Sequence, residues 1–180
     1  DMHDLVFQAP LPDLDRSVDI YVASESVKFK DVDYWNEIFP DHVKNWEVYN
    51  VGSFIMKRDV LKVFWDMLYA RWLEFHSWYK TSVIPRIGNG DTFPFNIPFH
   101  DKVRIDMALM FNGHYDTLCF NEFLRHYQIE EGKDIFACYA YQVANKVVVN
   151  KRGQLYRDGK LTTVAHYNGN SKKFMKGGTK

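Results

Sequence analysis

The sequence predicts an α/β domain in which a mixed sheet is flanked by helices. Three observations carry that expectation. Residues 58–80 place Val60, Leu61, Phe64, Trp65, Leu68, Tyr69, Trp72 and Leu73 at three- and four-residue steps, the period of an amphipathic helix. Short β-branched or alternating runs stand before that helix and crowd the C-terminal third, where "IFACYA", "KVVVN" and "LTTVAHY" read as strands. The length of 180 residues, 46% of them hydrophobic, suits one domain with a sizeable core, so the expected organisation is a single domain over 1–180.

Taken in order, "VDIYVA" (Val18 to Ala23) is short, apolar and β-branched, the pattern of a buried strand. "DVDYWNEIFP" reads as a short helix entered at Asp31 or Asp33 and stopped at Pro40. "WEVYNVGSFIM" alternates and then turns apolar, which suits a strand. Its internal Gly52 marks bare backbone that another group approaches closely. The helix over 58–80 comes next, with its aromatic stripe expected in the core. The proline-bearing stretch "PRIGNGDTFPFNIPFHD" is a long loop, a kind often tied to function. "DKVRIDMALMFN" reads as a helix capped by Asp101, with Val103, Met107 and Met110 or Phe111 inward. "YDTLCF" is the first of four late strand candidates. "NKRGQLYRDGK" is an excursion through turns at Gly153 and Gly159.

Charge removes one class of function. Lys and Arg number 23, Asp and Glu 23, so no basic excess is present to neutralise a nucleic-acid backbone. No apolar run approaches about 20 residues, so no membrane segment is expected, and no signal-peptide pattern is visible; the expectation is a soluble chain. Cys119 and Cys138 each sit in an apolar run and read as buried free thiols. The high aromatic content, 17%, fills cores and can also stack on sugar rings; Trp78, Phe93 and Phe95 flank the long loop and are candidates for that role.

Chemistry concentrates at the two ends. "DMHDLVF" puts two carboxylates, Asp1 and Asp4, within one turn, where they can share a divalent cation. "VAHYNGNSKK" ends an apolar run at His166 and continues as H-x-x-G-x-x-K. A neutral imidazole there can ligate a transition metal, Gly169 allows close backbone approach, and Lys172 is a point charge for phosphate. Two carboxylates and one imidazole suit Mn2+ or another divalent cation, which can bridge a diphosphate and stabilise it as a leaving group.

The order of these motifs resembles the metal-dependent glycosyltransferases of the GT-A fold, most closely the glycosyltransferase domain of collagen lysyl hydroxylases and viral collagen glycosyltransferases. That layout has paired aspartates before an apolar stretch ("DMHDLVF") and a strand ending in serine-glutamate ("VDIYVASES"). Asparagine and glycine before an apolar run ("YNVGSFIM"), a long helix, and a helix beginning at an aspartate ("RIDMALMF") follow. Histidine, glycine and lysine close it ("AHYNGNSK"). Met107 stands where that family usually has glutamine. The resemblance implies a GT-A-like mixed sheet whose N-terminal nucleotide-binding unit has no counterpart ahead of Asp1 in these 180 residues. It implies transfer of a sugar from a UDP-sugar donor to a hydroxyl-bearing acceptor, protein or glycan. Asp1, Asp4 and His166 would be the metal ligands, and Gly169 and Lys172 would contact the diphosphate. Asn50, with the neighbouring Gly52, and Asp106 would lie near donor or acceptor, Asp106 being the carboxylate to test as nucleophile or base. Two other readings stand beside it: a catalytically inactive transferase-like domain serving recognition or assembly, and a metal-dependent hydrolase.

Overall fold

The computed structural model describes residues 5–33, 36, 39, 41–78, 80, 81, 115–139 and 147–167, the side chains of 75, 78, 115 and 139 excepted. Within them lie nine strands and two α-helices: β1 (Leu5–Phe7), β2 (Ile20–Lys28), β3 (Glu47–Met56), α1 (Arg58–Trp78), α2 (Tyr115–Phe123), β4 (Ile129–Glu131), β5 (Phe136–Tyr139), β6 (Val147–Val149), β7 (Leu155–Arg157), β8 (Lys160–Leu161) and β9 (Val164–Tyr167). They form three small sheets, in the orders β1-β9-β5, β3-β2-β4 and β6-β7-β8. The first two are mixed: β9 runs antiparallel to β1 and parallel to β5, and β2 runs antiparallel to β3 and parallel to β4. The α/β class with mixed pairing is therefore present. Among the described residues no helix is long and apolar enough to cross a membrane.

The core forms where β2, fully buried over its first half, is covered on both faces. On one face Ile20 and Val22 pack with Val60 and Phe64 of α1 and with Phe120, Phe123 and Leu124. Phe64 meets Phe120 and Phe123 at ring centroid distances of 5.5 and 5.1 Å, and Phe54 meets Phe120 at 5.2 Å. On the other face Tyr21 and Ala23 pack with Ile135, Phe136 and Val164. This second layer ties the β2 sheet to the β9 sheet. A turn at Gly132, whose N–H donates to the Val22 carbonyl at 3.0 Å, feeds β4 into β5.

α1 spans the residues its periodicity predicts, but the aromatic stripe is not all core. Val60 and Phe64 are buried, whereas Trp65 (55% exposed), Tyr69 (61%), Trp72 and Leu73 face outward. The apolar positions are too many for one face, and only the arc facing β2 finds a partner. Tyr69 stacks on Trp72 and Trp72 on His76, both pairs 14° from parallel.

"YDTLCF" is helical, not extended: it opens α2. An apolar run that short does not discriminate helix from strand by period alone. Here the helix lets Leu118, Cys119, Phe120 and Phe123 all reach buried positions. It also aims the buried Asn121 at β3, where Oδ1 accepts from Tyr49 N at 2.9 Å and Nδ2 donates to Tyr49 O at 2.9 Å. The strand expected at Val18 to Ala23 begins at Ile20 and continues to Lys28. The turns expected at Gly153 and Gly159 are present, each with φ of +79°, and they frame the β6-β7-β8 meander. Cys119 and Cys138 are buried thiols, neither of them in a disulfide among the described residues. The core of the expected helix around Tyr34 and Trp35, the long loop after α1 and the expected helix over 101–112 lie outside the described residues.

Candidate functional site

The site grows from an irregularity in the β2–β3 pairing. Val22 pairs with Phe54, but the next pairing is Ser24 with Tyr49, so residues 50–53 stand opposite Ala23 alone. Such a bulge breaks the ladder and re-aims side chains, a device common beside functional sites. Its members are Asn50, Val51, Gly52 and Ser53. Across the bulge β2 makes its own departure: Ser26 has φ of +56°, unusual for a residue with a Cβ, and its N–H donates to Ser24 Oγ at 2.8 Å.

Asn50 is buried and its amide is engaged at both ends. Nδ2 donates to Glu25 Oε1 at 2.7 Å, and Oδ1 accepts from Gly52 N at 2.8 Å. That pairing fixes the amide's orientation and holds Gly52 in place. The Glu25 carboxyl is pushed above its ordinary range by burial, which the Asn50 hydrogen bond partly offsets. Ser53 lies in the same bulge with its Oγ buried and without a hydrogen-bond partner among the described residues.

The other half of the site is β9. Parallel pairing sets His166 beside Cys138, and antiparallel pairing sets it beside Leu5. The His166 ring is buried and lies edge-on to the bulge. A Cβ added at Gly52 would stand 2.7 Å from His166 Cε1, 3.2 Å from Nε2 and 3.1 Å from Asn50 Oδ1. Only glycine leaves room for the ring. His166 Nδ1 lies 3.7 Å from Cys138 Sγ, within hydrogen-bonding distance for sulfur. The Cys138 thiol is pushed well above its ordinary value by burial, and further by the Glu25 charge, against a smaller opposing effect from Arg157. It stays protonated, so Cys138 and His166 are not an activated thiolate pair.

Of the residues expected at the site, Asn50, Gly52 and His166 are brought together. Asp1, Asp4, Asp106, Gly169 and Lys172 lie outside the described residues, as do Phe93, Phe95 and the Trp78 side chain. The close neighbour expected at the bare backbone of Gly52 is the His166 imidazole. Sequence reasoning assigned no role to Glu25 or Cys138. The serine-glutamate at the end of the apolar run was a visible sign for the first, and nothing local marked the second.

As a holder of a divalent cation, the described part supplies one nitrogen donor. That donor is His166, whose ring is buried with the Cys138 thiol on one edge and Gly52 on the other. Among the described residues no three His, Cys, Asp or Glu side chains group to hold a metal ion. Comparison with protein-family models, with curated proteins and with solved structures finds no match to this chain.

Proposed function

We propose that the chain is the metal- and acceptor-binding part of a glycosyltransferase that moves a sugar from a UDP-sugar donor to a hydroxyl acceptor, with Mn2+ or another divalent cation as cofactor. The observation that carries this reading is the approach of the Asn50–Gly52 backbone to His166, two motifs 114 residues apart in the sequence. The register of β1 supports it further. Leu5, the residue after Asp4, is the pairing partner of His166.

In this reading Asp1, Asp4 and His166 hold the cation, which when bound offsets charge on the departing diphosphate. The chain's own residues do the rest. Asn50 locks Gly52, and Gly52 seats the His166 ring. Buried Glu25 anchors Asn50, and the orphan hydroxyl of Ser53 is a donor or acceptor that a polar ligand group can meet. Gly169 and Lys172 are assigned to the diphosphate, and Asp106 is assigned as the carboxylate nearest the chemistry.

Calorimetry of UDP binding with and without Mn2+ tests the proposal. UDP is expected to bind more tightly with Mn2+, and Asp4→Asn and His166→Ala are each expected to remove that gain. UDP affinity indifferent to metal in the unaltered chain would overturn it. The reading as an inactive recognition domain draws on one observation, the exposed Tyr69–Trp72 stack on α1. It predicts retention of a partner with no metal-dependent UDP binding.

A further inference from the structure

We propose that the outward face of α1 is a self-association surface, on which a second copy of this chain packs its own α1 antiparallel. The inference goes beyond the transferase reading and needs neither metal nor nucleotide. Arg58, Lys62, Trp65, Tyr69, Trp72 and His76 recur at alternating steps of four and three residues, the seam spacing of one helix against another. At 3.6 residues per turn that seam lies away from Val60 and Phe64, which face the core. Trp65, Tyr69, Trp72 and the adjoining Leu73 are exposed by 55, 61, 45 and 43%. The Tyr69–Trp72 and Trp72–His76 stacks, with ring centroids 6.1 and 5.0 Å apart, hold these side chains as one ridge, so little rotamer freedom is left to lose on docking.

The occupant follows from the seam's own chemistry. Its N-terminal end is cationic, with Arg58 and Lys62 exposed, and the rest is aromatic. A parallel copy would set those cations against their own counterparts. An antiparallel copy with Tyr69 opposite the partner's Trp72 lays each Lys62 against the last turn of the partner helix, where the macrodipole is negative. The same register sets each Trp65 beside the partner's His76, so the aromatic ridge meets itself. Such a contact is isologous and closes at two copies. Aromatic side chains have roughly 150–250 Å² each to bury, so the exposed fractions of Trp65, Tyr69, Trp72 and Leu73 amount to about 400 Å² per copy. With the stems of Arg58 and Lys62 added, the pair covers about 1,000 Å² in all, the low end for a specific interface, which fits a reversible dimer of micromolar or weaker affinity.

Sedimentation equilibrium of the chain, without metal or UDP, tests the proposal. Between about 5 and 500 μM the mass is expected to climb from that of one chain toward that of two and no further. Trp65→Glu and Trp72→Glu are each expected to weaken the dimer about 30-fold or more, the scale of a central aromatic anchor. Lys62→Ala is expected to weaken it about 3-fold at low salt and to lose that effect at high salt. Thermal midpoints at the lowest concentration report whether each variant folds, and the concentration dependence of the unaltered chain needs no variant at all. A chain that stays monomeric throughout would overturn the proposal, and a midpoint lowered in monomeric Trp72→Glu would then assign the face to a segment of the chain itself. A dimer indifferent to both glutamate substitutions would overturn it too, because another face would be in use. A dimer tightened by Lys62→Ala would contradict the antiparallel arrangement.

Discussion

Gly52 and His166 touch as backbone to ring: a Cβ on Gly52 would stand 2.7 Å from His166 Cε1, closer than such atoms pack. The bulge in β3 and the end of β9 are thereby one structure. Asn50 sets the bulge's shape, Glu25 holds Asn50, and Cys138 closes on the far side of the ring.

Gly52→Ala is therefore expected to act on the imidazole first. The ring has to shift or the strand has to yield, at the usual overpacking cost of about 1–3 kcal/mol. Denaturant unfolding should show a lower midpoint with unchanged slope. Mn2+ affinity should fall along with it, unlike the effect of a core substitution remote from the ring.

Asn50→Ala removes the donor on the Glu25 carboxylate and the acceptor for Gly52 N. A hydrogen bond to a charged group contributes about 1.5–3 kcal/mol, so stability should fall by that order. In a double-mutant cycle with Glu25→Gln the two changes should not add, because Glu25 no longer brings a charge to be left unpaired. Additive effects, whatever the sign of each, would mean that the bond carries no net energy.

Glu25 also sets a pH dependence. Its carboxyl titrates above the ordinary value of 4.5 in the folded chain because burial disfavours the charge. The folded state then holds the proton where the unfolded state has lost it, so this residue's effect on stability worsens as pH climbs from about 4.5 through the raised folded value. Glu25→Gln should be more stable than the unaltered chain at neutral pH, with the difference shrinking toward pH 4. Thermal melts across that range measure it, and an equal difference at every pH would contradict the assignment.

On α1, truncation should separate the two faces. Phe64→Ala empties a site packed against Phe120 and Phe123 and should cost about 3–5 kcal/mol. Trp72→Ala, on the outward face, should change stability by about 0.5 kcal/mol or less. Equal losses would show that the outward aromatics are packed.

Much of this arrangement was readable from residue types. The bounds of α1 follow from its period, and β3 from its alternation. Gly52 was recognisable as backbone awaiting a close neighbour, although the neighbour's identity was not. What escaped reading was tertiary. β1 and β4 have three residues each, too few to show a period, and they are strands because β9 and β2 pair with them. The segment opening α2 has strand-like composition and becomes helical because Asn121 and four apolar side chains all find partners that way. The Cys138–His166 contact depends on register between strands 28 residues apart, which no local pattern encodes.

The central claim, that His166 ligates a cation at this bulge, is most directly read by pulsed paramagnetic resonance of Mn2+ with UDP on 15N-histidine-labelled chain. The account predicts an electron–15N coupling of directly bound imidazole that disappears in His166→Gln. Bound Mn2+ with no such coupling, or a coupling that survives His166→Gln, would contradict it.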